Sequence, residues 1–158
     1  MDVRDAGLKD LEGLKRLEQE CFGEEKFSEN TLKAFLLRDD AFVLVAAEDG
    51  EVLGAALCLC SKSRAEGRVA SMAVLGDRRR QGIGARLLRE AEKSMSDMGA
   101  RTFGLEVDVG NGPAIALYLK HGYSLRAVIR DYYGAGRHAY MMEKVRPSRK
   151  RKFRVRPS

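Results

Sequence analysis

The chain has 158 residues, 44% of them hydrophobic and 33% charged, with a formal net charge of +6. That is enough chain and enough apolar material for one cored domain, which excludes a disordered protein, a collagen-like repeat and a disulfide-stapled miniprotein. Seven of the 29 Lys and Arg fall in 146–158 (RPSRKRKFRVRPS), leaving 22 against 23 acids, so residues 1–145 carry −1.

Leu8, Leu11, Leu14 and Leu17 recur every three residues and predict a helix over 8–20 with one apolar face. A loop holding Phe22 and Phe27 follows. A second helix is expected over 28–37, with Ser28 as its N-cap and Leu32, Phe35 and Leu36 turned inward. The runs 41–47 and 52–60 flank Asp49-Gly50, the pattern of a β-hairpin. A strand is expected over 67–75, a charged loop over 76–81, and an amphipathic helix over 83–98 that Gly99 closes.

Residues 102–109 read as a strand. Pro113 suits the first turn of a helix running to Lys120 and stopped by Gly122. Strands are expected over 123–129 and 138–145, joined by a loop over 130–137. The predicted order is β-α-α-β-β-β-α-β-α-β-β: one α/β (α+β) domain over 1–145, with a mixed sheet of about six to seven strands and about four helices. Residues 146–158 cannot bury apolar surface and form a basic, flexible extension, with contact to RNA or the ribosome as its second reading.

No stretch approaches the roughly 18 apolar residues of a membrane helix, and the start, Met1-Asp2-Val3-Arg4-Asp5, has no secretory pattern. A cytoplasmic protein without membrane partners is expected. Cys58-x-Cys60 lacks zinc-ligand spacing, Cys21 stands apart, and His121 and His138 have no partner motif, so no metal is expected.

The informative segment is Arg79-Arg80-Gln81-Gly82-Ile83-Gly84-Ala85, two glycines between a strand and a helix. Backbone N–H groups at a helix start are unpaired and the helix dipole favours negative charge there. Glycine lets that backbone approach a ligand closely. The segment lacks the Lys-Ser/Thr of an NTPase loop, and Leu87 replaces the third glycine of a dinucleotide fingerprint. By itself it is a weak phosphate-binding signal or an ordinary glycine-rich turn.

Its surroundings carry a resemblance. Arg79-x-x-Gly82-x-Gly84, preceded by Ser71-Met72-Ala73-Val74, resembles the coenzyme A pyrophosphate motif of the GCN5-related N-acetyltransferases. Leu105-Glu106-Val107, Asn111, Ala114, Ala116-Leu117-Tyr118 and His121-Gly122-Tyr123 are similar to that family's downstream pattern. Tyr132-Tyr133-Gly134 and Ala139-Tyr140-Met141-Met142 resemble the ending of the RimI-type subfamily, which modifies protein α-amino termini. The chain departs from that subfamily at Lys26-Phe27-Ser28 and at Arg137-His138, in two loops that line the family's acceptor site.

The resemblance implies an N-acetyltransferase that moves an acetyl group from acetyl-CoA directly to an amine, releasing coenzyme A. It implies coenzyme A contacts from Met72, Ala73, Val74, Arg79, Arg80, Gln81, Gly82, Ile83, Gly84, Ala85, Asn111 and Tyr118. It makes Glu106 the general base, Tyr118 the general acid, and Phe22, Phe27, Tyr132 and Tyr133 acceptor-site residues. Each has a plainer alternative: Glu106 a strand-end carboxylate, Tyr118 a core tyrosine, Asn111 a helix cap, the other aromatics covers for the core edge. An α-amino group, with a pKa near 8 against about 10.4 for lysine, needs only modest help to lose its proton. Protein N-termini are the expected acceptor; lysine ε-amino groups or small amines, and a non-catalytic acyl-CoA-binding module tethered by its basic tail, are the alternatives.

Overall fold

The computed structural model describes residues 1–79 and 81–147. Seven strands form one sheet: β1 (Asp2–Asp5), β2 (Ala41–Glu48), β3 (Glu51–Ser61), β4 (Glu66–Val74), β5 (Thr102–Asp108), β6 (Ser124–Gly134) and β7 (Arg137–Val145). Their order across the sheet is β1-β2-β3-β4-β5-β7-β6. Every neighbouring pair is antiparallel except β4 and β5, which run parallel.

Four α-helices cover the sheet: α1 (Leu11–Phe22), α2 (Glu29–Leu37), α3 (Ile83–Asp97) and α4 (Gly112–Lys120). Helices α1 and α3 lie on opposite faces: Ser71 on β4 reaches Glu18 of α1, while a Cβ on Gly67 of the same strand would meet Met95 of α3. Helix α3 turns Ile83, Leu87, Leu88, Ala91 and Met95 into the core, the spacing of a single helical face. Its end is a Schellman motif: the Ala100 N–H donates to Met95 O and the Gly99 N–H to Ser96 O, with Gly99 at φ 96°.

The hairpin turn is built on Asp49 (φ 50°) and Gly50 (φ 78°), as its sequence requires. Ser28 caps α2, its side chain accepting from the Thr31 N–H at 3.1 Å. Two local expectations need correction. Leu8 is not on the buried face of α1; it sits in a short 3-10 turn at 55% exposure, and α1 starts at Leu11. Residues 130–137 are not a loop: β6 runs on to Gly134 and β7 begins at Arg137, so Tyr132 and Tyr133 lie in a strand.

The strand pair β3/β4 carries the feature that shapes everything beside it. Leu57 pairs with Ser71 but Cys58 pairs with Val69, so Ala70 is an extra residue, a β-bulge. A bulge bends its strand and reverses which face later side chains occupy. The parallel ladder with β5 ends at Val69↔Leu105, just before it. Beyond that point β4 and β5 separate, while β5 stays paired with β7 through Asp108. The sheet is therefore split along one seam.

Among the described residues no helix is long and apolar enough to cross a membrane, and no three His, Cys, Asp or Glu side chains gather as a metal site. Arg80 and the basic stretch from residue 148 onward, with the expectations that fall on them, lie outside the described residues.

Candidate active site

The split exposes one edge of β4. The Leu75 N–H donates to Leu53 O, so Leu53 and Leu75 form a hydrogen-bonded antiparallel pair. Such pairs alternate, which turns the N–H and C=O of Met72 and Val74 away from β3 and toward the seam. The Val74 carbonyl already accepts from Arg79 Nε at 3.2 Å and weakly from Cys21 Sγ at 3.5 Å. Ala73 faces the other way and pairs with Ala55.

Helix α3 begins beside that edge. Gly82 stands at its N-cap with φ 77° and ψ 9°, and no side chain caps the helix. That left-handed conformation favours glycine, and the uncapped first turn leaves its N–H donors available to an anion. A Cβ on Gly84 would meet Leu117 Cδ2 at 3.4 Å and Val74 Cγ2 at 3.9 Å, so this glycine sits between β4 and α4. Gln81 is exposed and accepts from Arg78 Nε at 3.1 Å. Ile83 is 2% exposed, so its side chain belongs to the core and only its backbone is free to serve a ligand. Ala85 is half-buried in the first turn.

Asn111 caps α4, its Oδ1 accepting from the Ala114 N–H at 3.3 Å. The far end of α4 is a second Schellman motif: the Tyr123 N–H donates to Tyr118 O, the Gly122 N–H to Leu119 O, and Gly122 has φ 91°. That motif brings the rings of Tyr118 and Tyr123 to 5.8 Å. The Tyr123 hydroxyl donates to Glu92, which also holds Lys144 at 2.6 Å. Tyr118 is 7% exposed, and burial, helped by the nearby Cys58 thiol, pushes its phenol up to about 12.

Glu106 lies on the other face of the sheet. It is the first residue of β5 past the last one paired with β4, and its carboxylate is ion-paired with Arg68. Both line a cavity of about 560 Å³ with Leu59, Gly104, Met141 and Glu143. Tyr118, near Cys58 on the α3 side, and Glu106, on the other side with Arg68, therefore stand on opposite faces of the sheet.

The aromatic candidates divide. Phe27 stacks on Phe35 at 5.9 Å, and its N–H donates to Glu18 Oε2 at 2.9 Å, which ties the loop after α1 to the core. Phe22, at the end of α1, is half-buried against the same core. Tyr132 is 47% exposed and makes an edge contact with Tyr133 at 4.9 Å. Burial pushes the Tyr133 phenol up to about 12. Arg137, 5.7 Å above the Tyr133 ring, is ion-paired with Glu25 beyond α1 and bonds Asp108 Oδ2 at 3.0 Å. The hairpin β6–β7 and the loop after α1 thus meet across the end of β5.

Sequence reasoning did not find Arg68 or Glu18 as parts of this site, and it marked Arg137 only as a departure in a loop that lines the family's acceptor site. Arg68 and Glu106 are 38 residues apart, and Glu18 and Ser71 are 53 apart, so no local pattern links them.

The model of the acetyltransferase (GNAT) family matches residues 11–123. The chain belongs to that family. This GNAT chain is 34% identical over 154 residues to an N-alpha-acetyltransferase of Sulfurisphaera tokodaii, covering 89% of this chain and 90% of that one. It is 46% identical over 78 residues to an N-alpha-acetyltransferase of Saccharolobus solfataricus, 49% of this chain and 47% of the relative. In fold it is similar to the ribosomal-protein-S18-alanine N-acetyltransferase of Escherichia coli, with TM-score 0.82 and 23% identity over 96% of this chain and 97% of the other. This GNAT protein is an N-acetyltransferase, and its co-substrate is acetyl-CoA. The open β4 edge and the uncapped glycine start of α3 fit that donor, a pantetheine arm ending in a diphosphate.

Proposed function

We propose that this enzyme acetylates the α-amino group of protein N-termini, by direct transfer without an acyl-enzyme. The observation that carries the reading is the seam between β4 and β5, with Glu106 on one face and Tyr118 on the other. The named N-alpha-acetyltransferase relatives support the acceptor class.

In this reading Met72 and Val74 hold the donor's arm by the backbone groups they turn away from β3, as an added strand would be held. Arg79, Gln81, Gly82, Ile83, Gly84 and Ala85 surround its diphosphate, and the Asn111 side-chain amide approaches it from α4. Acetyl-CoA supplies the activated thioester. Glu106 takes the proton of the acceptor ammonium, directly or through one water. The amine then forms its bond to the acetyl carbon, and the Val74 N–H donates to the oxygen that gains charge. As the carbon–sulfur bond breaks, the Tyr118 hydroxyl donates a hydrogen bond to the departing sulfur, and the second proton of the acceptor nitrogen passes to that sulfur, so that coenzyme A leaves as the thiol. Burial pushes its phenol up to about 12, above an ordinary thiol, so complete transfer to a free thiolate is uphill. Tyr118 therefore acts mainly by hydrogen bonding during bond breaking, and it stays protonated throughout the neutral range. Phe22, Phe27, Tyr132 and Tyr133 form the walls around the acceptor.

Intact-mass spectrometry of a peptide panel with acetyl-CoA tests the reading. A gain of about 42 Da on free N-termini, lost when they are blocked, is expected, with Glu106→Gln and Tyr118→Phe each slowing turnover by about 10²–10⁴-fold. Acetylation only of N-blocked, lysine-containing peptides overturns the acceptor assignment. A loss below about threefold in both variants overturns the assigned roles.

A further inference from the structure

The base assigned above stands where the sheet gives it least support. Glu106 follows Leu105, the last β5 residue paired with β4. On the β7 side it is held by its partner Met141; on the β4 side the neighbouring strand has already turned away. A glutamate there has no ladder neighbour across the seam to limit its rotamers. What reaches it is Arg68, which sits opposite Gly104, two residues before Glu106, on the face away from α3. Gly104 has no side chain in the way. The guanidinium extends forward along the strand direction and pairs with Glu106 Oε1 through Nη2. The Glu106 side chain is 9% exposed and that of Arg68 43%. Among the described residues, Arg68 is the only cation paired with this carboxylate.

We propose that Arg68 is a positioning residue, which fixes the Glu106 carboxylate at the mouth of the seam so that it faces the acceptor amine. The inference rests on Glu106 being the base. In this role Arg68 acts through Glu106, by bracing β4 to β5 at the point where the backbone ladder stops. The other charged or titratable groups around the shared cavity are Arg38, Asp40, Cys60, Glu66 and Glu143. Arg38 is committed to Asp40, which it bonds at 2.8 and 2.6 Å. Glu66 and Glu143 repel a second negative charge. An adjacent guanidinium favours the charged carboxylate, so without Arg68 this acidic surrounding favours the protonated one.

Two readouts on the full chain test this, one of them without substrate. In the apo protein the δ-carboxyl carbon of Glu106, assigned by its loss in Glu106→Gln, is titrated by ¹³C NMR in the parent, Arg68→Met, Arg68→Lys and Arg38→Met. The midpoint is expected to rise by about one pH unit or more in Arg68→Met, less in Arg68→Lys, and little in Arg38→Met. In steady-state kinetics Arg68→Met is expected to lower kcat by about tenfold to a hundredfold, with KM for acetyl-CoA within about twofold. The acid limb of its kcat/KM profile moves to higher pH, and Arg68→Lys recovers most of the rate. The midpoint and the limb do not depend on how much protein is folded, and Arg68→Lys keeps the chain's charge should Arg68→Met be unstable. An unmoved midpoint and unchanged kcat in Arg68→Met, with Glu106→Gln still crippled, overturn the proposal and leave the base assignment standing. Full activity in Glu106→Gln removes the base assignment, and the role of Arg68 falls with it.

Discussion

Glu18 shows how a single buried carboxylate serves the site without entering its chemistry. At 4% exposure it accepts from the Phe27 N–H at 2.9 Å and from the Ser71 hydroxyl at 3.3 Å, joining the loop after α1 to the strand at the seam. No cation is paired with it among the described residues, and desolvation holds its carboxyl above the usual range. The folded state thus binds the proton more tightly than the unfolded chain, so this group costs stability as pH rises from its unfolded value through its raised folded value, and the cost fades as pH falls. Glu18→Gln keeps one acceptor for the Phe27 N–H and gains a donor for Ser71 Oγ, so near pH 7 it is expected to be neutral or slightly stabilising. Glu18→Ala orphans the Phe27 N–H and is expected to cost about 2 kcal/mol. Urea denaturation of the two variants checks the pair; equal losses in both contradict it.

Helix ends carry the site's accuracy at the next scale. Tyr118 is placed by the Schellman turn that ends α4, through the hydrogen bond from the Tyr123 N–H and the packing of the two rings. Gly122 makes that turn possible at φ 91°, where an L side chain is strained; an added Cβ would lie 3.5 Å from Lys144 Cε. Gly122→Ala is expected to lower stability by about 1–2 kcal/mol and to reduce kcat more than it raises KM for acetyl-CoA. Thermal melting and steady-state kinetics report both, and an unaltered kcat would show that Tyr118 is held by other means.

Such ends were legible in the sequence because a cap is local chemistry. Ser28, Asn111, Gly99, Gly122 and the pair Asp49-Gly50 each mark the boundary where the structure has one. The hairpin β6–β7 was not legible at its tip, since Arg130-Asp131-Tyr132-Tyr133 is polar enough to read as a loop, and the structure carries it as an irregular continuation of β6, with the register to β7 broken between Ile129 and Gly134 and Asp131 at φ 57°. Nor was the bulge at Ala70, because a one-residue offset shows only against the partner strand. The family motifs located the seam's residues; only long-range packing joins Glu106 to Arg68 and Arg137 to Glu25.

Across the whole molecule, charge is sharply divided. Six of the 29 Lys and Arg lie beyond Pro147, so residues 1–147 hold 23 of them against 23 acids and are neutral. Polyanion binding, where it occurs, therefore belongs to the terminal stretch and depends steeply on salt. Removing 148–158 is expected to abolish RNA retention at low salt while leaving acetylation of a short peptide within about twofold, since nothing in the catalytic seam draws on net charge. Filter binding at two salt concentrations, beside a peptide assay, decides this; RNA binding that survives the deletion would move the contact onto the folded domain.

The extra residue at Ala70 has a kinetic consequence. It opens a slit in a sheet that would otherwise be a continuous partition, with the uncapped start of α3 on one side and the Glu106 cavity on the other. In the function proposed above, donor and acceptor then approach by separate doors and share only the slit itself. On that proposal a molecule blocking one door is expected not to compete for the other, which inhibition patterns against each substrate would check.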